Sequence, residues 1–550
     1  MNFLEIIFAN LERTPGKVIL SEVHANRLAQ QTCRELLTAI GRARSALKQA
    51  GLNGGDRCVL LGPNSSRWVA ADLAIMAEGG IVVPFYSRQA PGELVAMMKD
   101  CTPTLLVCAN TELRQSITSI SPAPPRTLLY DELFSGDSDH PIEPLRLSND
   151  SPVTIIYTSG TSGNAKGVVL NVGNVGFMVQ RTRARLEELM STVVKANDDR
   201  VFHYLPFCFA GSWMLLLTCL YRSNALMMST DLDRLADELK IAKPHYFLNV
   251  PALLDRIRNG VLGQLQKKGG LALALFERGQ AAWLRRRGCN RHPLDRLFLA
   301  LAEALVFHKI KQQLGPNLRT LICGSAPLAE ETQLFFEMIG IPVLQVYGLT
   351  ETTAICTMDD VDDHTPGRVG PAIPGIEMKL GNQDEILVRG PNVFQGYWSR
   401  PQATAEVVKD GWLHTGDQGH VDEKGNWKIV GRLKDLIIPT SGHNISPEPI
   451  EQMILSVLPE TEQAMVVGNG RKFLSVIVTG KVPAERISAA LAKVNQALPH
   501  YKQVRKFHLS PEAFTVENGF LTANRKMKRT LIEARYRKEI DGLYQVNPQP

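Results

Sequence analysis

Between residues 51 and 108 the chain alternates short apolar runs with stretches of helical periodicity, and this alternation narrows its possible folds more than any other feature. The turn-forming segment GLNGGD leads into an apolar run at Cys58–Leu61. Helical spacing follows near Ser66–Glu78, a strand at Gly80–Phe85, a helix near Pro91–Lys99 and a strand at Thr104–Cys108. Short apolar strands separated by helices favour a parallel sheet covered by helices. At 550 residues the chain is too long for one core, so several such units must pack together.

The same reading extends along the chain. The N-terminal MNFLEIIFANLERTPGK reads as an amphipathic first helix, without the basic flank or small-residue cleavage site of a secretory signal. Leu28 to Ala50 shows helical recurrence. Residues 110–149, rich in Ser, Pro and Asp, read as a connector between subdomains, with a second α/β unit after them. Beyond Gly381 short strands separated by Gly and Asn turns, at Glu385–Arg389, Gly419–Asp422 and Asn426–Val430, predict an antiparallel β unit. A compact stretch at Ile445–Val457, strands at Gln463–Val467 and Phe473–Thr479 and a helix at Ala484–Ala497 predict a small separate domain. The expected fold is therefore α/β. A large N-terminal domain of packed α/β subdomains plus a β unit occupies residues 1–431, and a small α+β C-terminal domain occupies 432–550.

Composition excludes several classes. With 44% hydrophobic and 21% charged residues the chain is neither mostly disordered nor a fibre. A net charge of only +6 gives no ground for a nucleic-acid partner. Nine cysteines without a CxxC pair fit reduced thiols in the cytoplasm. No apolar run reaches the roughly 18 residues of a membrane span, so any membrane contact is peripheral.

The window Thr154–Leu170, TIIYTSGTSGNAKGVVL, carries the strongest chemical signal. A β-branched strand enters a loop holding Thr158, Ser159, Gly160, Thr161, Ser162, Gly163 and Lys166. Backbone N–H groups freed by glycine, hydroxyl donors and a lysine charge together suit a polyphosphate. The spacing differs from that of a Walker A loop, whose Lys directly follows its last glycine. Taken alone, such a Gly/Ser loop is more readily read as a flexible polar hairpin.

This loop resembles the phosphate loop of the adenylate-forming superfamily, which includes acyl-CoA synthetases, luciferases and peptide-synthetase adenylation domains. Four further segments follow in the family's order: ICGSAPL (Ile322–Leu328), QVYGLTETT (Gln345–Thr353), WLHTGD (Trp412–Asp417) with GRLKD (Gly431–Asp435), and FLTANRKMKR (Phe520–Arg529). The resemblance covers nearly the whole chain and is nearest to the long-chain fatty acyl-CoA synthetases.

The resemblance implies a set of roles. Gly324, Ser325 and Ala326 form the adenine-binding turn, with the Tyr347 ring on adenine beside Gly348. Thr350 bonds the α-phosphate, Glu351 holds Mg²⁺, Asp417 accepts the ribose hydroxyls and Arg432 reaches ribose or phosphate. Lys434 is the hinge about which the small domain turns, and Lys526 is the catalytic lysine that enters during adenylation. ATP, Mg²⁺ and coenzyme A are the implied cofactors and co-substrate, and a medium- or long-chain fatty acid is the implied carboxylate. In LPFCFAGSW (Leu205–Trp213), Phe207, Phe209 and Trp213 either line an acyl tunnel or are simply core. Many acyl-CoA ligases place a His where this chain has Phe209. A basic insert up to Leu318, including Arg285, Arg286 and Arg287, reads either as a membrane-facing amphipathic helix or as a solvated face. His443 and Asn444 replace the usual Gly and Glu in the segment expected to line the pantetheine tunnel. An acyl carrier protein is thus an alternative acceptor, and a degenerate nucleotide- or acyl-binding sensor an alternative of another class.

Overall fold

The computed structural model describes residues 1–24, 27–121, 123–137, 142–158, 165–191, 198–288, 292–522 and 525–545. The first element is the amphipathic helix Phe3–Arg13. Its N-terminus is closed by a capping box, in which the Asn2 side chain accepts from backbone N–H groups and Glu5 reaches back to the Asn2 N–H.

Two large sheets form the body. One is seven-stranded and runs in the order Gly396–Tyr397, Lys166–Asn171, Pro152–Thr158, Ile81–Phe85, Arg57–Leu61, Leu105–Cys108, Arg126–Leu129. Its central strands pair in parallel and are buried on both faces, which is why they read as unbroken apolar runs. The second sheet is eight-stranded. It brings the strands Tyr246–Asn249, Leu321–Cys323 and Val343–Tyr347 side by side, all parallel. A five-stranded antiparallel sheet containing Glu385–Arg389, Trp412–Val421 and Trp427–Arg432 completes this part of the chain. After the single turn Leu433–Asp435 comes a three-stranded sheet, Ala464–Val467, Leu474–Thr479 and Val504–Ser510, with its own apolar core against the helices Pro447–Val457 and Ala484–Gln496.

Two sequence expectations need correction. The segment expected to be one helix from Leu28 begins as the strand Arg27–Thr32, and its helix starts only at Cys33, where Thr32 and Glu35 form a capping box. The expected connector at 110–149 contains the helix Thr111–Thr118 and the strand Arg126–Leu129, which extends the seven-stranded sheet as its edge. An edge strand is only half covered, so a polar-flanked four-residue run leaves little periodicity to read. The eight described cysteines are buried and free of disulfides. Among the described residues no helix is long and apolar enough to cross a membrane.

Candidate active site

Sheet register places the first pair of site residues. Asp417 lies inside the strand Trp412–Val421, directly opposite Arg432 on Trp427–Arg432. Arg432 Nε stands 2.9 Å from Asp417 Oδ1. The other carboxylate oxygen accepts a hydrogen bond from Tyr347 Oη at 2.8 Å. Burial opposes the Arg432 charge, but Asp417 and then Glu351 outweigh it and raise the guanidinium's pKa.

Tyr347 ends the parallel strand Val343–Tyr347, so it projects from the carboxyl edge of the sheet, where ligand clefts form in α/β folds. The turn after it is tightly packed. A Cβ on Gly348 would lie 2.2 Å from the Ala354 carbonyl oxygen, so only glycine fits beside the returning chain. Thr350 and Glu351 follow in the single turn Thr350–Thr352, both half-buried. The neighbouring strand Leu321–Cys323 leads into Gly324, Ser325 and Ala326, with Ser325 in the left-handed region at φ 74°.

A second acidic anchor uses a residue that the sequence reading did not single out. Tyr397 Oη donates to Glu351 Oε1 at 2.8 Å, and Lys166 Nζ lies 5.0 Å from the centre of the same ring. Tyr397 thus joins Lys166, of the expected phosphate loop, to Glu351, the expected metal carboxylate. The strand pairing of Gly396–Tyr397 with Lys166–Asn171 makes this possible. No local spacing signals it, because Tyr397 and Glu351 are 46 residues apart. Thr158 and Lys166 face each other as the two ends of the phosphate-loop hairpin. Ser159, Gly160, Thr161, Ser162 and Gly163 lie outside the described residues.

The last group comes from the small domain. Lys526 lies in a turn closed by the Leu521–Met527 bridge, with its N–H bonded to Thr522 Oγ1 at 3.1 Å. Its side chain is exposed at the surface, with enough protein around it to desolvate the ammonium. This desolvation, together with repulsion from Arg432, lowers its pKa, against attraction from Asp417, Glu448 and Glu351. Lys526, Arg432, Asp417 and Glu351 therefore share one electrostatic neighbourhood. Two ties hold this arrangement: Lys528 Nζ to Glu93 Oε1 at 2.8 Å, and Gln452 Nε2 to the Pro327 carbonyl at 2.6 Å. Lys434 is exposed in the turn Leu433–Asp435 between the two sheets.

The three aromatic residues of Leu205–Trp213 separate. Trp213 is 1% exposed and donates from Nε1 to the buried Asp72 at 3.0 Å, while Phe207 is equally buried and stacks on His203. Phe209 is half-buried and faces Tyr86 at 5.9 Å, and Tyr86 in turn feels the charge of Arg525 from the small domain. Of the three, Phe209 is the one with surface to offer a ligand.

Comparison with known proteins agrees with this architecture. Residues 7–398 match the AMP-binding enzyme family, and residues 434–547 match the AMP-binding enzyme C-terminal domain. The chain is 28% identical to the long-chain-fatty-acid–CoA ligase FadD15 of Mycobacterium bovis, across 99% of this chain and 97% of that protein. It is 26% identical to the rat long-chain-fatty-acid–CoA ligase ACSBG2, across 99% and 93%. Among solved structures, an ATP-bound RpMatB-BxBclM chimera superposes with a TM-score of 0.74 at 25% identity, covering 98% of this chain and 99% of that one.

Proposed function

The chain belongs to the AMP-binding enzyme family, and from that premise we propose that it is an acid–thiol ligase that activates a fatty acid with ATP and passes the acyl group to coenzyme A. In the first step a carboxylate oxygen attacks the α-phosphorus of ATP and pyrophosphate leaves. In the second the thiol sulfur attacks the acyl carbonyl carbon of the acyl adenylate and AMP leaves.

The first step brings two anions together, and the observation that supports the reading is that Lys526, from the small domain, lies within electrostatic reach of Arg432, Asp417 and Glu351. A protonated Lys526 binds the carboxylate and the α-phosphate together. Alignment of the reactants supplies roughly 7–11 kcal/mol of such a barrier and one well-placed donor roughly 2.7–4 kcal/mol. Lys166, with Thr158, Ser159 and Thr161, neutralises the outer phosphates, and Thr350 bonds the α-phosphate. Asp417 already accepts from Arg432 and Tyr347, and a carboxylate has about four acceptor sites, so capacity remains for the ribose hydroxyls. Tyr347 and the turn at Gly324–Ala326 take the adenine.

Magnesium fits Glu351. The carboxylate is half-buried beside the phosphate side of the cleft and Tyr397 orients one of its oxygens. Among the described residues no group of three His, Cys, Asp or Glu forms a metal cage, which suits a cation held by one carboxylate and substrate phosphates. When bound, it supplies positive charge across the phosphate oxygens.

Both relatives are named for long-chain fatty acids, and the Phe209–Tyr86 wall is apolar enough to receive an acyl chain. Lys434 is the hinge about which the small domain leaves the adenylating arrangement for the thiol-transfer one. Pyrophosphate release with ATP, Mg²⁺ and a panel of short, long and aromatic carboxylates, each with and without coenzyme A, tests the whole reading. Multiple turnovers with a long-chain acid only when coenzyme A is present are expected. A single turnover that coenzyme A fails to discharge assigns the acyl group to a carrier-protein thiol instead, and ATP binding without pyrophosphate release makes the protein a sensor.

A further inference from the structure

Residues 251–314 carry twelve Lys and Arg against four Asp and Glu, a net of +8 in a chain whose total is +6. The rest of the chain is therefore slightly acidic in sum, and the net positive charge resides in this helical insert. It runs as Pro251–Lys268, Gly270–Arg287 and Asp295–Ala302, then through the wide turn Glu303–Phe307 into His308–Leu314.

The inner face of this insert is fully used. Phe276 packs edge-on against Phe307 at 5.8 Å, and Gly279 lets the helices close, since a Cβ there would lie 2.3 Å from Ala302 Cβ. The outer face is what a water-facing helix should not show. Leu294, Leu297, Leu301 and Leu305 recur at helical spacing and are 48%, 55%, 40% and 46% exposed. With Leu271 and Leu284 they make six of the thirteen exposed large hydrophobic residues among the described residues. Such residues are ordinary when scattered, but a contiguous stripe marks an interaction surface.

The cations around the stripe are not all equal. Arg285 bonds Asp295 and Arg287 bonds Glu337, while Arg278 lies over the Phe298 ring at 5.4 Å. Arg286 and Arg296 are exposed, have no acidic partner among the described residues, and line one open groove with Trp283 and Glu303.

We propose that this face docks on an anionic lipid bilayer, with the leucine stripe entering the headgroup–acyl boundary and Arg286 and Arg296 meeting lipid phosphates. Charge complementarity selects an anionic partner, and the leucine stripe selects one with an apolar interior, which a nucleic acid does not offer. The first insert helix starts at Pro251, next to Val250, whose N–H faces Tyr204 Oη at 3.4 Å on the segment leading to Phe209. The docking itself does not rest on the ligation chemistry.

Co-sedimentation of the full chain with vesicles of phosphatidylcholine, with and without phosphatidylglycerol, tests this without turnover. Binding is expected only with phosphatidylglycerol present, and it should weaken steeply with salt. The pairs Leu297→Ser with Leu301→Ser and Arg286→Gln with Arg296→Gln should each weaken it at least tenfold, leaving pyrophosphate release with a soluble carboxylate unchanged. Because the unmodified protein's lipid and salt dependence needs no variant, a misfolded variant leaves the test intact. A wild-type protein that stays in the supernatant with anionic vesicles overturns the proposal. So does binding that survives the leucine substitutions, which would make the patch a general polyanion site. Leucine-dependent dimerisation without vesicle binding would instead give the stripe to a second copy of the chain.

Discussion

On the body wall of the cleft each acidic group is held by a tyrosine, Asp417 by Tyr347 and Glu351 by Tyr397, both at 2.8 Å. On the facing wall Lys526 keeps open surface, and Lys528–Glu93 and Gln452–Pro327 are among the contacts holding its domain against the body. One wall belongs to the body of the chain and the other to the small domain. Anchored acids cost no ordering when substrate arrives, whereas a delivered lysine can be withdrawn once its step is complete. Under the proposed function, the orientation of the small domain sets which half-reaction the cleft serves.

The largest effect should come from the small-domain wall. Lys526→Ala is expected to lower steady-state ligation by about 10²–10³-fold, as loss of one transition-state donor does elsewhere. The body wall should be more tolerant. Tyr397→Phe removes one hydrogen bond to a charged carboxylate, roughly 1.5–3 kcal/mol, so a loss of about ten- to a hundredfold is expected, with a raised requirement for Mg²⁺. If Tyr397→Phe proved as damaging as Lys526→Ala, the contrast between the walls would break.

Each region also holds a group whose titration can be followed with pH. Lys526 has a lowered pKa, so it loses its proton at a lower pH than a free lysine, and adenylation should fall as pH rises through that value. Lys526→Arg stays charged and should move this descending limb upward, which a plot of rate against pH would show. In the body, burial raises Asp72 to about 7 while Trp213 bonds it. A carboxyl group raised on folding contributes most stability below its unfolded pKa and loses it as pH rises toward 7 and beyond. Asp72→Asn should therefore abolish most of the fall in Tm that the wild type shows between pH 5 and 8. The smallest effect is expected from Glu93→Gln. This exposed pair is worth about 0–1 kcal/mol, so adenylation should drop less than about fivefold.

Ordered motifs made Glu351, Asp417, Arg432 and Lys526 legible in the sequence, and the structure gathers all four into one neighbourhood. Tyr397 was not legible, because its partner lies across a sheet rather than along a helix. The strand Arg27–Thr32 was hidden by the helix that follows it, whose true start is marked by the Thr32–Glu35 capping pair rather than by periodicity. In the insert, the charge excess was readable, but which arginines are spent on Asp295 and Glu337 depends on helix packing.

The role of Lys526 is tested by following both half-reactions in Lys526→Ala. Pyrophosphate release from ATP and a fatty acid is followed in a single turnover, and thioester formation from supplied acyl adenylate and coenzyme A is followed in parallel. Loss of orders of magnitude in the first with little change in the second is the expected result. Equal loss in both would contradict the assignment of a lysine delivered for adenylation alone.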